Sequence, residues 1–70
     1  MTREEIQAEV SKLNASQKAV LRTTVGQGNI EALSVTKIGH KTQVDVTMYG
    51  VRQMVTLGSR GMVLAREVAA

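Results

Sequence analysis

The sequence contains no cysteine, proline, phenylalanine or tryptophan, and it has a single histidine and a single tyrosine. Without cysteine the chain forms no disulfide and presents no thiolate to a metal ion, and one histidine, His40, is too few for a structural zinc site. Without proline it has no rigid polyproline linker. These absences exclude the disulfide-stabilised and zinc-stabilised classes of small protein, and we expect neither a metal nor another cofactor.

Long apolar runs are also missing. No run approaches the roughly 18 residues of a membrane-spanning helix, and the charged start MTREEIQAEV lacks the apolar segment of a signal peptide. We therefore expect a cytoplasmic protein that does not contact a membrane. The Cys-free, Pro-free composition favours a bacterial or phage accessory protein. The net charge of +3 is mildly basic and favours anionic partners only slightly.

The 70 residues predict a single domain, 1–70, with an aliphatic core. Hydrophobic residues make up 43% of the chain, and apart from Tyr49 they are Val, Leu, Ile, Met and Ala. A domain of this size buries only about 60% of the surface that its unfolded chain exposes. Since disulfides and metals are not available to add stability, the sequence favours self-association.

The segment TREEIQAEVSKL near the N-terminus predicts a helix. Thr2 and Glu5 have the spacing of a capping box, in which each side chain accepts a hydrogen bond from the other residue's backbone N–H. Ile6, Val10 and Leu13 follow at intervals of four and three residues, so they form one apolar stripe. We expect this stripe to pack on the core.

The next segment predicts a second helix, SQKAVLRTTV. Asn14 and Ser16 are both good capping residues, Ser16 is placed to start the helix, and Gly26 is placed to end it. A single helix over residues 3–24 is the alternative, with Gln17 as the one polar residue along its apolar seam. We favour two helices.

Beyond the flexible joint GQGN, the hydrophobic period changes from about 3.6 to 2, which indicates β-strands. The runs IEALSVTKI, TQVDVTMY, VRQMVTL and MVLAREV are separated by short turns that include GHK and GSRG. The last run also tolerates a short helix. The prediction is an α+β fold with one or two helices in residues 1–25, packed on a three- to four-stranded antiparallel meander in residues 29–69. The expected core-facing strand residues are Leu33, Val35, Val44, Val46, Met48, Val51, Val55, Leu57, Met62, Leu64 and Val68.

The sequence contains no residue pattern that is typical of a catalytic site. The only histidine lies in the predicted turn GHK, and neither GQG nor GSRG is followed by the Lys-Ser or Lys-Thr of a phosphate-binding loop. The six acidic residues are spread along the chain, and Glu4, Glu5 and Glu9 belong to one exposed helix face. We therefore expect a protein that is not an enzyme.

Protein binding is the function that the sequence favours. A small sheet has edges, and an unpaired edge accepts a partner strand. Met54 falls with Arg52 on the face that otherwise carries polar residues, and Tyr49 is the one aromatic residue that this face offers. We expect a small accessory or regulatory protein that binds another protein through these residues, and that also forms an oligomer.

The alternative is a nucleic-acid-associated regulator. A helix-turn-helix presents polar residues at the start of its second helix to base edges, and Gln17, Lys18 and Arg22 take that place here. Basic residues near the predicted turns, Lys37, Lys41 and Arg60, offer phosphate contacts. Winged domains normally carry three helices, whereas this chain has room for two. For Arg60 we favour an ordinary exposed turn residue over a side chain that enters a groove.

Overall fold

A computed structural model describes residues 1–26 and 28–69, so Gln27 of the predicted joint lies outside the described residues. Two helices precede four strands, and the four strands form one antiparallel sheet in the order β1-β2-β3-β4. This confirms the predicted α+β fold with a β-meander, in its version with two helices and four strands. The elements are α1 (Arg3–Val10), α2 (Ala15–Val25), β1 (Ile30–Ile38), β2 (Lys41–Met48), β3 (Val51–Leu57) and β4 (Val63–Ala69).

Both helices begin at a capping box. The Glu5 backbone N–H donates to Thr2 Oγ1 (3.2 Å) and the Thr2 N–H donates to Glu5 Oε1 (3.0 Å), as predicted. The start of α2 differs from the prediction, because Asn14 rather than Ser16 is its cap. Asn14 and Gln17 have the same spacing as Thr2 and Glu5, and their side chains exchange the same two backbone hydrogen bonds, 2.8 and 3.1 Å long.

The core lies between the helices and one face of the sheet. α1 packs mainly against β1, and α2 packs against β3. Val46 is fully buried at the centre of β2, where its neighbours on the same face are Val44 and Met48. The buried apolar side chains, which confirm most of the predicted core, are Leu13, Leu21, Leu33, Val35, Val44, Val46, Met48, Val55 and Leu57.

The last strand departs from the predicted core. Met62, Leu64 and Val68 were expected to be buried, yet they are 66%, 47% and 58% exposed, and every residue of β4 is exposed. The two short helices contact mainly β1 and β3, and within residues 1–26 and 28–69 the apolar side chains of β4 remain exposed. Val51, at the start of β3, is also partly exposed.

The turn between β2 and β3 is formed by Tyr49 and Gly50. Both have positive φ angles, 53° and 74°, which is the signature of a type I′ hairpin turn. The prediction placed Tyr49 on the polar face of the strand; it is instead a turn residue, because a two-residue loop that follows the right-handed twist of the sheet requires two left-handed residues. Its side chain is 74% exposed.

Candidate binding surfaces

The carboxylates of Asp45 and Glu9 take part in structural contacts. Hydrogen bonding and charge from the Arg52 guanidinium lower the pKa of Asp45. The pKa of Glu9 is lowered first by Lys12 and then by the hydrogen bond from the Val35 backbone N–H. Among the residues that the structure describes, no three His, Asp or Glu side chains are grouped as metal ligands.

The helices themselves are short. α1 has 8 residues and α2 has 11, and neither of these described helices is long and apolar enough to cross a bilayer.

The two outer edges of the sheet differ in how their backbone groups are used. On β1, the Val35 N–H donates to Glu9 Oε1 (3.1 Å) and the Leu33 N–H donates to Met1 Sδ (3.3 Å). The Glu31 carbonyl oxygen accepts from the N-terminal amine of Met1 (3.3 Å). Met1 and Glu9 therefore occupy three alternate positions along this edge, and a partner strand meets a blocked edge here.

The other edge belongs to β4. Residues in an antiparallel sheet direct their backbone groups alternately to one neighbour and the other. The backbone N–H of Val35 points away from β2. Following the register across the sheet from this residue, the backbone N–H and C=O groups of Ala65 and Glu67 point toward β3. Those of Arg66 and Val68 point outward, away from the sheet. In the described part of the chain no segment pairs with this outward side.

Exposed apolar side chains accompany this open edge. We call Met62, Val63, Leu64 and Val68 the β4 patch; their exposed fractions lie between 43% and 66%. Val63 and Val68 lie opposite Leu57 and Gln53, so they face the helix side of the sheet. Arg66 lies among them on the same side and donates to Gln53 Oε1 (2.9 Å). The edge and the β4 patch together form a surface that suits an extended apolar chain.

The three residues expected to bind a protein partner do not form one surface. Arg52 donates to both carboxylate oxygens of Asp45, so its guanidinium is already engaged on the open face. Met54 is half-buried beside it on the same face. Tyr49 lies in the hairpin turn, and its ring is so close to Gly28 that a Cβ there would be 2.7 Å from the tyrosine hydroxyl.

Gln17, which the sequence offers for base recognition, is buried. Its Nε2 donates to the Gly58 carbonyl oxygen (3.0 Å) and to Thr42 Oγ1 (3.3 Å). The amide therefore ties α2 to β2 and to the loop after β3, and it is not presented to a partner.

The basic candidates are divided between two sites. Lys18 and Arg22 lie on α2, at one side of a groove of about 380 Å³ between the helices, which we call the helix groove. Lys37 and His40 line a polar cleft of about 460 Å³ at the hairpin between β1 and β2. Lys12 also lines this cleft but forms an ion pair with Glu9. Lys41 and Arg60 are exposed in the neighbouring turn regions.

Sequence reasoning missed both the β4 patch and the helix groove. Alternation assigned β4 to the core, although the charged pair Arg66 and Glu67 in the middle of the run was a signal that the strand lies at an edge. The groove joins residues from α1, α2 and the start of β1, so no local pattern contains it. Comparison of the chain with protein-family models, with curated proteins and with solved structures finds no match.

Proposed function

We propose that this protein is a non-enzymatic accessory protein that binds another protein by strand addition at β4. The observation that carries the proposal is the contrast between the two edges of the sheet. Outward backbone groups of β1 are hydrogen-bonded to Met1 and Glu9. In β4, by contrast, the backbone N–H and C=O groups of Arg66 and Val68 point away from the sheet. Main-chain hydrogen bonds supply affinity in this mode of recognition, and side-chain contacts supply specificity.

The β4 patch defines the chemistry of the partner. An extended segment that pairs with β4 places alternate side chains next to Val63 and Val68 on the helix side of the sheet. Apolar or β-branched residues at those alternate positions remove the exposed valines from water, and each well-buried side chain of this kind contributes about 1.5–3 kcal/mol. We therefore expect a partner segment with alternating apolar residues.

The test compares Val68→Pro with Val68→Ala. Both variants lose the valine side chain, but only proline also removes the outward backbone N–H, and it leaves the β3 pairing intact because Val68 points away from β3. The wild type and both variants are immobilised and exposed to an extract of the native host. A protein that the wild type and Val68→Ala retain and that Val68→Pro loses supports strand addition. Equal retention by all three contradicts it.

A second candidate function is binding to the phosphate backbone of nucleic acid at the polar cleft. Lys37 and His40 line this cleft, and Lys41 and Arg60 are exposed in the adjacent turn regions. If this is the function, retention on duplex DNA falls steeply with salt, and Lys37→Ala or Arg60→Ala each lowers the slope of log affinity against log salt by about one. If neither variant changes the slope, the basic residues form an ordinary solvated rim.

A further inference from the structure

The helix groove has an apolar floor that the fold does not fill. Leu13 and Leu21 are buried beneath it, while Val10, Val25 and Ile30 are packed against the core and remain partly exposed. A neighbouring depression shares Arg22 and Ile30 with the groove and extends it past Ile6 toward Arg3. The apolar surface therefore runs along both helices.

The charges around this surface are all of one sign. Lys18 and Arg22 line the groove from α2, Arg3 lines its extension from α1, and neither lining includes an acidic residue. The ion pairs found in residues 1–26 and 28–69 are Lys12 with Glu9 and Arg52 with Asp45, so these three cations take no part in one there. An apolar floor with unpaired cations on both sides is complementary to a ligand with an apolar stripe and flanking carboxylates.

We propose that the helix groove binds an acidic amphipathic helix of another protein. α2 has 11 residues and is about 16 Å long, so the groove has room for about three turns of a docked helix. Apolar residues at positions i, i+3 or i+4, and i+7 of that helix lie over Val10, Val25 and Ile30. Glutamates on its two sides reach Arg22 and Lys18 on one wall and Arg3 on the other.

This site is separate from the β4 edge, and the proposal does not depend on strand addition. A duplex phosphate backbone is a poorer occupant, because the apolar floor offers nothing to a charged strand. The occupant and the β4 partner are both protein segments, so the molecule has the means to hold two chains at once.

The experiment uses a synthetic probe. A fluorescein-labelled peptide of about 14 residues, or four turns, carries leucines at helical spacing with glutamates beside them, and a scrambled peptide of the same composition is its control. Anisotropy titrations compare the wild type with Lys18→Glu, Arg22→Gln and the matched variant Lys37→Glu, which lies at the polar cleft. Lys18 is in the first turn of α2, where an acidic residue suits the helix dipole, so Lys18→Glu keeps the fold.

The expected result is that the peptide binds the wild type, and that Lys18→Glu weakens binding about tenfold or more through loss of charge complementarity. Arg22→Gln weakens it less, Lys37→Glu stays within about twofold of the wild type, and NMR shift changes are confined to the helix groove. Absence of binding, equal binding of the scrambled peptide, or an equal loss in Lys37→Glu overturns the proposal. Tighter binding of decanoate at the same residues also overturns it and assigns the groove to a fatty-acid-like anion. Val68→Pro binds the peptide like the wild type, so failure here is distinguishable from failure of strand addition.

Discussion

Gln17 shows how one side chain has two structural roles. Its Oε1 accepts from the Asn14 backbone N–H at the start of α2, and its Nε2 donates to Gly58 and Thr42. All described buried side-chain nitrogen and oxygen atoms have a hydrogen-bond partner, so the polar group is buried at little cost. Its neighbours Ser16 and Lys18 are exposed, and the one sequence sign of its burial is its place on the apolar seam, four residues from both Leu13 and Leu21.

We expect Gln17→Ala to lower the free energy of unfolding by about 1–3 kcal/mol, because it leaves the Gly58 carbonyl without this donor and removes half of the capping box. Ser16→Ala is the matched control: Ser16 is exposed, it is not the cap, and its replacement changes stability by about 0.5 kcal/mol or less. Urea unfolding measures both. A larger loss in Ser16→Ala would mean that Ser16, not Asn14, caps α2.

Glu9 gives the stability a defined dependence on pH. Lys12 and the Val35 N–H hold the pKa of Glu9 below its ordinary value. A carboxyl group with a lower pKa in the folded state stabilises the fold above its unfolded pKa of about 4.3, and this contribution is lost as the pH falls through the folded pKa. The melting temperature is therefore expected to fall on acidification below that range.

In Glu9→Gln the amide oxygen still accepts from Val35, but the charge is gone, so the acid side of the melting profile becomes flatter. Lys12→Gln retains the Val35 bond and gives an intermediate slope. Melting curves between pH 2 and pH 6, a range that spans about two units on each side of the carboxyl pKa, measure the effect. A slope in Glu9→Gln equal to that of the wild type would show that this carboxylate has the same affinity for protons in both states.

At the scale of the element, β2 and β4 have similar sequence patterns and opposite environments. In both strands apolar residues alternate, or nearly alternate, with polar ones. Val46 of β2 is nevertheless fully buried, whereas Val68 of β4 is 58% exposed. β2 lies between β1 and β3, whereas in the described part of the chain β4 pairs with β3 alone. The same residue type therefore contributes to the core in one strand and to the exposed surface in the other.

Substituting aspartate for valine at positions 46 and 68 is expected to give different losses of stability, because one position is buried and the other is exposed. Val46→Asp buries an unpaired charge and is expected to cost about 3–5 kcal/mol, enough to unfold a domain of this size. Val68→Asp keeps its charge in water and costs about 1 kcal/mol, through lower strand propensity. Circular dichroism melts measure both; comparable losses at the two positions would mean that β4 is covered, and a wild-type melt for Val46→Asp would mean that the faces of β2 are reversed.

At the scale of the molecule, a small core is combined with one open edge. The chain has 70 residues, no disulfide, and four exposed apolar side chains beside the outward edge of β4. We expect two copies to join through antiparallel β4 strands into one continuous sheet related by a two-fold axis. A second copy would then compete with the proposed partner strand for the same edge.

We expect light scattering at tens of micromolar to give a mass about twice the 7.6 kDa of one chain, and a melting temperature that rises with concentration. Val68→Pro, which removes an outward N–H, should be a monomer, whereas Val68→Ala should remain associated. A monomer mass with a melt independent of concentration would contradict self-association and leave the edge free for the partner.

The sequence by itself determined the elements and most of their faces. The spacing of Thr2 and Glu5 defined the start of α1, and the alternation around Val46 defined the core face of β2, because capping and strand period are local properties. Asn14 and Gln17 carry the second capping box in the same local form, and the prediction of Ser16 as the cap is wrong.

Tertiary structure decided which side chains and which sheet edge are covered and which remain exposed. Glu9 blocks the edge of β1 through a bond to Val35, 26 residues away, and no sequence pattern encodes such a contact. The extent of the helices decided that β4 stays uncovered, and the approach of α1, α2 and β1 created the groove beside Lys18 and Arg22. Period and propensity depend on neighbours along the chain, whereas burial and edge protection depend on which distant segment lies above a residue.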